Sequence, residues 1–278
     1  MKRQGWKTAG WVWAALVGAF LYLPLMYMML FSVNSTKQGA TFTGVSFQWF
    51  ARIAQDEKIV QALATSIQIA LASASASVLL GLLAALALTR LGNWRGKSAF
   101  EACARAPMVM PDVILGIGLL LLFISAFNAV GAPERGALTI FLGHTLLGFS
   151  YAMSVILVRL QELPVDQEQA AADLGARPLQ TFWYITLPGL SSALVAAFLL
   201  TFTLSFDDVV ISEFLSGPGT KTLSQVLFAY SRRGVDPTLY AIATVIIVLV
   251  SCALIGLALY LLSKEKRTTR LRSTAQPS

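Results

Sequence analysis

Residues 62–89 read ALATSIQIALASASASVLLGLLAALALT and contain no Asp, Glu, Lys or Arg. A helix needs roughly 20 apolar residues to cross the hydrocarbon core of a bilayer, which is about 30 Å thick. The whole chain agrees with this stretch, because 56% of its 278 residues are hydrophobic and only 13% are charged. Soluble domains carry about twice that share of charge. The sequence therefore predicts an integral membrane protein that crosses the bilayer as α-helices.

Five further blocks have comparable length and hydrophobicity. Four of them also lack Asp, Glu, Lys and Arg, whereas the block at 189–216 carries Asp207, Asp208 and Glu213. We expect an all-α integral membrane protein with six transmembrane helices. The predicted spans are 9–33, 62–89, 113–133, 137–158, 189–216 and 238–263.

The 21 Lys and Arg residues are distributed unevenly between the gaps that separate these spans. Most of them lie in residues 1–8, in the second and fourth gaps, and in a basic tail at 264–278. Positive residues near span ends stay in the cytoplasm, and an even number of spans puts both termini on one side. We therefore predict cytoplasmic termini and one membrane domain over residues 9–263. The net charge of +7 follows from this bias and does not indicate a nucleic-acid surface.

Cys103, Cys252 and His144 form no recognisable metal or disulfide pattern. The two cysteines lie far apart in the sequence, so we expect neither a metal pair nor a disulfide. His144 is the one histidine of the chain and falls within a predicted span. Ionisable groups inside a membrane are functional candidates. For His144 we favour the alternative, a polar side chain hydrogen-bonded inside the helix bundle.

The segment 160–188, between the fourth and fifth spans, has the pattern of two short helices. Pro164 and Asp166 favour a helix start, and Gly175 favours its end, because glycine readily adopts the left-handed backbone conformation. Pro178 suits the first turn of a second helix. The alanines of the first helix offer a surface of little bulk. Such a helix–turn–helix either seats in a groove of a partner protein or lies on the membrane as an amphipathic hairpin.

Asp207 and Asp208 lie inside the fifth predicted span, where carboxylates are costly and mark functional positions. A rise of about 1.5 Å per residue from Pro188 puts them roughly 30 Å along, toward the outer end. Adjacent side chains diverge on a helix, so we expect Asp208 to face a polar pathway while Asp207 caps or pairs. With Phe206 and Phe214 nearby, the carboxylate suits a diamine ammonium through charge and cation–π contact. Alternatively, both carboxylates pair with basic residues of a partner subunit.

The helix–turn–helix resembles a signature of a transporter family. Its alanine pair, its glycine and its Ile-x-Leu-Pro end fit the pattern E-A-A-x-x-x-G-x9-I-x-L-P of importer permeases in the ATP-binding-cassette (ABC) superfamily. In that family the segment is the coupling helix that docks into the ATPase subunit. The family's glutamate falls on Gln169, with Glu168 one position earlier and on another face. The coupling residues implied by this resemblance are Glu168, Gln169, Ala170, Ala171, Gly175, Leu187 and Pro188.

Other runs are similar to the second permease subunit of spermidine and putrescine importers, most closely the putrescine type. These runs are 106–112, 203–208, 217–218 and 232–237. The resemblance implies the type I ABC importer permease fold with a cytoplasmic coupling helix, in a bacterial inner membrane. It also places an aromatic and a cationic residue near the outer gate. The pathway residues then are Asp207, Asp208, Phe206, Phe228 and Arg232.

The same resemblance implies the partners and the absence of catalysis. The partners are a homologous permease subunit that completes a heterodimer, two ATPase subunits and an extracytoplasmic polyamine-binding protein. ATP and Mg²⁺ belong to the ATPase, so we expect no cofactor, no metal and no catalytic residue in this chain. The run GPGTKT at 217–222 lacks the spacing of a nucleotide-binding G-x-x-x-x-G-K-[ST] loop.

Two other functions stay open beside a subunit of an ATP-driven putrescine importer. One is an ABC permease for another small cation or for an organic anion, because few residues decide the substrate. The other is a membrane-embedded enzyme that uses Asp207 and Asp208 to hold a magnesium diphosphate. Such a site needs several carboxylates that converge on the metal, and no second acidic cluster lies within a span.

Overall fold

A computed structural model describes residues 2–36, 41–131, 133–232, 237–249, 251–252 and 255, with residues 2–9 described by backbone alone. Within these residues the regular structure is helical, apart from one antiparallel bridge between Asn34 and Val45. A π-helical turn, Phe182–Thr186, joins α8 to α9. The α-helices are α1 (Lys2–Phe31), α2 (Gln48–Gln55), α3 (Glu57–Arg90), α4 (Lys97–Val109), α5 (Asp112–Val130), α6 (Ala137–Glu162), α7 (Val165–Asp173), α8 (Pro178–Thr181), α9 (Leu187–Asp207), α10 (Val210–Leu215), α11 (Leu223–Ser231) and α12 (Pro237–Leu249).

Five stretches of the described chain are long and apolar enough to cross a membrane. They overlap five of the six predicted spans and confirm an all-helical membrane protein. α12 covers the first part of the sixth predicted span, 238–263, and most of the remainder lies outside the described residues. The number of six spans therefore stays a prediction, and the tail 264–278 also lies outside the described residues. The five stretches are Gly10–Phe31, Glu57–Arg90, Asp112–Val130, Ala137–Glu162 and Pro178–Asp207.

The chain divides into two compact units, residues 1–57 with 230–278, and residues 58–229. In the first unit, the ring centroids of Tyr27 and Tyr240 lie 6.4 Å apart, so α1 and α12 share an aromatic contact. The second unit contains both acidic residues of interest and the predicted helix–turn–helix. The candidate functional site lies within this second unit.

Small residues set how closely α3 and α6 approach each other in the second unit. A Cβ on Gly81 would lie 2.7 Å from the backbone nitrogen of Met153, and a Cβ on Gly148 would lie 2.5 Å from Ser77 Oγ. Membrane helices gain stability from such close packing, because lipid removes the hydrophobic drive between them. Ala197 of α9 is fully buried in the same cluster. The close packing brings the polar side chains of α3, α6 and α9 within hydrogen-bonding distance.

The fifth predicted span, 189–216, is wrong as one continuous helix. α9 ends just before Asp208, whose backbone is extended (φ −62°, ψ 128°), and α10 follows it. The Asp208 carboxylate accepts hydrogen bonds from the N–H groups of Ile211 (3.3 Å) and Ser212 (2.8 Å). An aspartate that satisfies the first donors of a new helix competes with continuation of the old one. This carboxylate therefore ends α9 by starting α10.

α10 is held in place by its apolar side. Ile211 and Leu215 are fully buried. The ring of Phe214 covers Gly116 of α5, where a Cβ would meet the ring at 2.5 Å. Thr139 of α6 donates a hydrogen bond to the carbonyl of Leu215 at 2.8 Å. These contacts pack α10 against α5 and α6, and so fix the helix break at Asp208.

Candidate functional site

Two short helices, α7 and α8, form the helix–turn–helix expected from the sequence. Pro164 precedes α7, and Gly175 follows it with φ +84°. The N–H of Ala176 donates to the carbonyl of Ala171 at 3.0 Å, which closes the helix end as glycine caps usually do. Pro178 is the first residue of α8. The predicted outline of this segment is confirmed.

The outer surface of α7 and α8 is largely uncovered by the described chain. α7 has no buried residue, and Gln169 and Ala170 face outward. Leu174 and Leu179 expose 90% and 68% of their surface. Exposed apolar surface of this kind usually marks a contact with a protein or a membrane.

Glu168 faces the opposite way from Gln169 and binds two other segments. Its Oε2 lies 3.0 Å from Arg90 Nε, and its Oε1 accepts a hydrogen bond from Arg90 Nη2 at 3.1 Å. The hydroxyl of Thr186 also donates to Oε1, at 2.9 Å. Ala171, one turn after Glu168, lies on the same half-buried side. The expectation that Glu168 and Gln169 occupy different faces of the helix is confirmed.

Leu187 and Pro188 begin α9 directly after the π-helical turn. Leu187 is half-buried against the main apolar cluster of the second unit, while Pro188 is exposed. Proline is well tolerated in a first helical turn, where its missing N–H needs no partner. These two residues therefore join the exposed helix pair to the membrane-spanning part of the fold.

The two adjacent acids have opposite surroundings. The Asp208 side chain is only 9% exposed, and its partners are two N–H groups of α10 and the imidazole of His144. Asp207 is exposed at the end of α9. The Asp208 carboxylate is held inward by the first N–H groups of α10 and by His144, and its expected place on a pathway stays a prediction. Of the two adjacent acids, Asp207 is the one that is exposed.

A chain of buried hydrogen bonds joins Asp208 to α3, α6 and α9. His144 Nε2 lies 3.1 Å from Asp208 Oδ2, and its Nδ1 lies 2.7 Å from Ser205 Oγ. Ser205 accepts from Ser73 Oγ at 3.0 Å, and Ser212 Oγ lies 3.2 Å from His144 Nε2. Both ring nitrogens of His144 therefore have polar partners, Ser205 at Nδ1 and Asp208 with Ser212 at Nε2.

His144 is only 3% exposed, and the interpretation of a hydrogen-bonded side chain inside the bundle is confirmed. Its serine partners, Ser73 and Ser205, were not singled out from the sequence. Serine gives no distinctive signal in a span, since it can bond its own helix backbone. The usable signal was the presence of one histidine and one aspartate in different predicted spans, because each needs a partner in lipid.

Asp207 continues a partly exposed face of α9. Thr203, one turn earlier, is also exposed. Beside them, Phe198, Phe202 and Phe206 form a stack with centroid separations of 6.3 and 5.9 Å. Aromatic faces and a carboxylate are the two groups that attract an organic cation most strongly. This face has the composition of a cation pathway.

The remaining predicted residues are placed differently. Phe214 packs on α5, so the expectation that its ring accompanies the acids is wrong. Phe228 is 45% exposed on α11, whose first turn is hydrogen-bonded to the carbonyl of Asp208. Arg232 is exposed and belongs to the first compact unit, and residues 233–236 lie outside the described residues. Their assignment to an outer gate stays a prediction.

The geometry of the acids does not suit a metal-dependent enzyme. No group of three or more His, Cys, Asp or Glu side chains within the described ranges is placed to hold a metal ion. Magnesium sites use carboxylates that converge on one ion, whereas Asp207 and Asp208 face different surroundings. Cys103 and Cys252 are free and exposed.

The chain is similar in sequence to known transport proteins. Residues 77–268 match the family described as binding-protein-dependent transport system inner membrane component. The putrescine transport system permease protein PotI of Escherichia coli K12 is 42% identical over 250 residues, which is 89% of this chain and 88% of that protein. The spermidine/putrescine transport system permease protein PotC of the same strain is 31% identical over 267 residues, 96% of each chain. PotC of Haemophilus influenzae Rd is 34% identical over 243 residues, 87% of this chain and 92% of that one.

Solved structures share its fold. A bacterial ABC transporter involved in the import of the acidic polysaccharide alginate contains a chain that matches with a TM-score of 0.73 and 16% identity, over 93% of this chain and 96% of that one. A chain of an amino acid ABC transporter matches with a TM-score of 0.56 and 16% identity, over 80% and 100%. At these identities the likeness shows a common fold, that of ABC importer permeases.

Proposed function

This chain belongs to the binding-protein-dependent transport system inner membrane components of ABC transporters, and on that basis we propose that it is a permease subunit of an ATP-driven putrescine importer. The observation that supports putrescine as the substrate is the exposed Asp207 carboxylate beside a phenylalanine stack on a membrane-spanning helix. The relatives at 42% and 31% identity are named as putrescine and spermidine/putrescine permeases, which supports a polyamine. The same carboxylate would repel an organic anion, so the anion alternative is disfavoured.

The chemistry of putrescine matches this face of α9. Its two primary amines resemble the lysine amine, whose pKa is about 10.4, so both are charged at neutral pH. Asp207 supplies the counter-charge, Phe206 supplies an aromatic ring, and Thr203 supplies a hydroxyl that accepts hydrogen bonds. Asp208 supports the site from inside by fixing the end of α9. On the family resemblance we also assign Phe228 and Arg232 to the outer gate.

The membrane arrangement follows the charge distribution of the sequence. We assign six spans, 9–33, 62–89, 113–133, 137–158, 189–216 and 238–263, with the fifth interrupted at Asp208. Both termini, including the basic tail 264–278, lie in the cytoplasm with the coupling segment 160–188. The substrate face at the end of α9 then lies toward the outer side of the bacterial inner membrane.

The proposed partners are those that the family resemblance implies. The outward side of α7 and α8, with its exposed leucines, is the docking surface for one of two ATPase subunits. A homologous permease completes a heterodimer, and an extracytoplasmic polyamine-binding protein delivers the substrate. ATP and Mg²⁺ act on the ATPase, and this chain is a transport component that needs no cofactor of its own.

The substrate assignment is tested with Asp207→Asn in the reconstituted importer. We expect uptake of labelled putrescine to fall about tenfold or more, because a charge-assisted contact is lost. Asp207→Glu keeps the charge and should retain a larger share of uptake. As a matched control, Glu101→Gln removes an exposed carboxylate of α4 that pairs with Arg105 and should leave uptake unchanged.

Wild-type uptake by Asp207→Asn would remove this residue from the pathway. Transport of spermidine without putrescine by the unmodified importer would correct the substrate. Either result leaves the family assignment intact, because that assignment rests on similarity along the chain.

A further inference from the structure

Glu168 forms one contact that joins three separate elements of the second unit. It lies on α7, Arg90 is the last residue of α3, and Thr186 is the last residue of the π-helical turn before α9. We call this contact, made by Arg90, Glu168 and Thr186, the three-way link. It ties an exposed helix outside the spans to the ends of two membrane-spanning helices.

The three-way link is defined by short contacts between the side chains of Arg90, Glu168 and Thr186. Arg90 Nη2 donates a hydrogen bond to Glu168 Oε1 at 3.1 Å, while Arg90 Nε lies 3.0 Å from Oε2 as an ion pair without the alignment of a second hydrogen bond. The hydroxyl of Thr186 donates a second hydrogen bond to Oε1, at 2.9 Å. The side chains of Arg90 and Glu168 are only 26% and 19% exposed, so salt screens the pair less than a fully solvated one.

Two other arginine–glutamate pairs of the second unit differ in kind. Arg105 pairs with Glu101 and Arg159 pairs with Glu162, each within a single helix. In both pairs each side chain is about 40% exposed or more. Pairs of this sort support their own helix by small amounts. The three-way link instead spans elements that are far apart in the sequence.

The π-helical turn gives the link a mechanical role. Such turns are rare and are frequently found at functional sites. Phe182–Thr186 lies between the helix pair α7–α8 and α9. A regular α-helix at this place would pass a movement of α8 directly to α9. Thr186 is buried, and its hydroxyl donates a hydrogen bond to Glu168. The carboxylate therefore bridges across the turn and stiffens the joint.

α3 and α9 are also hydrogen-bonded to each other deeper in the fold. Ser73 of α3 donates to Ser205 of α9 at 3.0 Å, next to the histidine chain that fixes the end of α9. The two spans are thus joined at two levels, by serines and by the three-way link. The three-way link joins α7 to both spans at one level, and the serines join the two spans near the Asp207 end of α9.

We propose that Arg90 and Glu168 are positioning residues that couple movement of α7 to α3 and α9 together, so that work done by the ATPase on α7 is delivered to the substrate face. This role rests on the proposed function of α7 as a docking helix. It assigns to Glu168 a task inside the chain, and leaves the contact with the ATPase to the outward residues Gln169 and Ala170.

The test uses the complete reconstituted importer in proteoliposomes and measures putrescine uptake and ATP hydrolysis side by side. Glu168→Gln keeps the shape and removes the charge, and Arg90→Lys keeps the charge and removes the guanidinium whose Nη2 donates to Glu168. For both variants we expect ATPase copurification and ATP hydrolysis within about twofold of wild type, and uptake per ATP lowered roughly tenfold. The control Glu101→Gln, which breaks a pair within one helix, should leave uptake per ATP unchanged.

Exchange of the two charges tests whether the interaction between Arg90 and Glu168, and not either side chain alone, supports coupling. Arg90→Glu combined with Glu168→Arg restores the pair, since Thr186 can accept a hydrogen bond as well as donate one. We expect the double variant to recover much of the uptake per ATP that each single variant loses. A double variant no better than its parents would overturn the proposal.

Two further outcomes are distinguishable. If Glu168→Gln lost the ATPase from the purified complex, Glu168 would be a docking residue and the proposal would be overturned. If the wild-type chain itself bound no ATPase, the proposed function would fail instead. The contact between Arg90 and Glu168 would then be tested by unfolding of the purified chain. If Arg90→Ala and Glu168→Ala lowered the free energy of unfolding by amounts that add in the double variant, the two side chains would not interact and the link would be refuted.

Discussion

Asp208 shows how a carboxylate inside a membrane protein can serve the fold. Each unpaired polar group in lipid costs several kcal/mol, so a buried carboxylate must find donors. Asp208 finds them in the first N–H groups of α10 and in His144. The donors hold it inward, and the helix end that results leaves Asp207 exposed. The exposed carboxylate and the buried one are thus adjacent in sequence and opposite in environment.

Ser205→Ala tests the buried hydrogen-bond chain at the level of one atom. The substitution removes the partner of His144 Nδ1 and the acceptor for Ser73. We expect the free energy of unfolding to fall by about 1–3 kcal/mol, because buried polar groups are left unpaired. Unfolding of the purified chain in mixed micelles by a denaturing detergent measures this loss.

The matched control is Ser75→Ala, also on a membrane-spanning helix. Ser75 is exposed and donates only to the carbonyl of Leu71 in its own helix, at 2.7 Å. Its loss should change the free energy of unfolding by no more than about 0.5 kcal/mol. Equal losses in the free energy of unfolding from the two substitutions would show that the buried hydrogen bonds through His144 add no stability beyond that of a bond within one helix.

The helix pair α7–α8 divides its two sides between two tasks. Glu168 and Ala171 face the chain itself, and Gln169 and Ala170 face outward. This division follows from the turn of about 100° per residue, which separates neighbours in sequence. The outward side is therefore the place to look for a partner, and the inward side is the place to look for transmission.

Ala170→Trp tests the outward side. A large ring at this exposed position fills the space that a close-packed partner needs, so we expect the affinity-tagged permease to lose its ATPase on purification. Insertion into the membrane should be unaffected, because α7 has no buried residue. Ser98→Trp, at an exposed position on α4, is the control and should retain the ATPase. Copurification of the ATPase with both variants would move the docking surface elsewhere.

The sequence predicted those elements whose signal is local. Long uncharged runs identified four of the five spans, a long apolar run with three acidic residues identified the fifth, and Pro164, Gly175 and Pro178 placed α7 and α8 correctly. The break at Asp208 was missed, since it depends on the burial of α10 against α5 and α6. The partner of Glu168 was missed for the same reason, because Arg90 is remote in sequence and charged residues at span ends usually indicate orientation.

At the scale of the whole molecule, the second unit covers its own helices unequally. In the most apolar part of each span, 50% of α3 and 56% of α6 are buried, against 22% of α5 and 28% of the span Pro178–Asp207. α3 and α6 are thus the centre of this unit. The span Pro178–Asp207 and α5 leave most of their surface to lipid or to another subunit. This distribution fits a chain that forms one part of a larger permease.

Cysteine accessibility tests the orientation of this unit in the membrane. The two native cysteines are exposed and are first replaced by serine. Leu174→Cys then marks the docking helices and Glu134→Cys marks the segment between α5 and α6, both at exposed positions. With a membrane-impermeant maleimide we expect Glu134→Cys to react in spheroplasts, and Leu174→Cys to react only in inside-out vesicles, because the positive gaps are cytoplasmic. Reaction of Leu174→Cys in intact spheroplasts would place the helix pair outside the cell, where no ATPase could reach it, and the proposed importer mechanism would be lost with it.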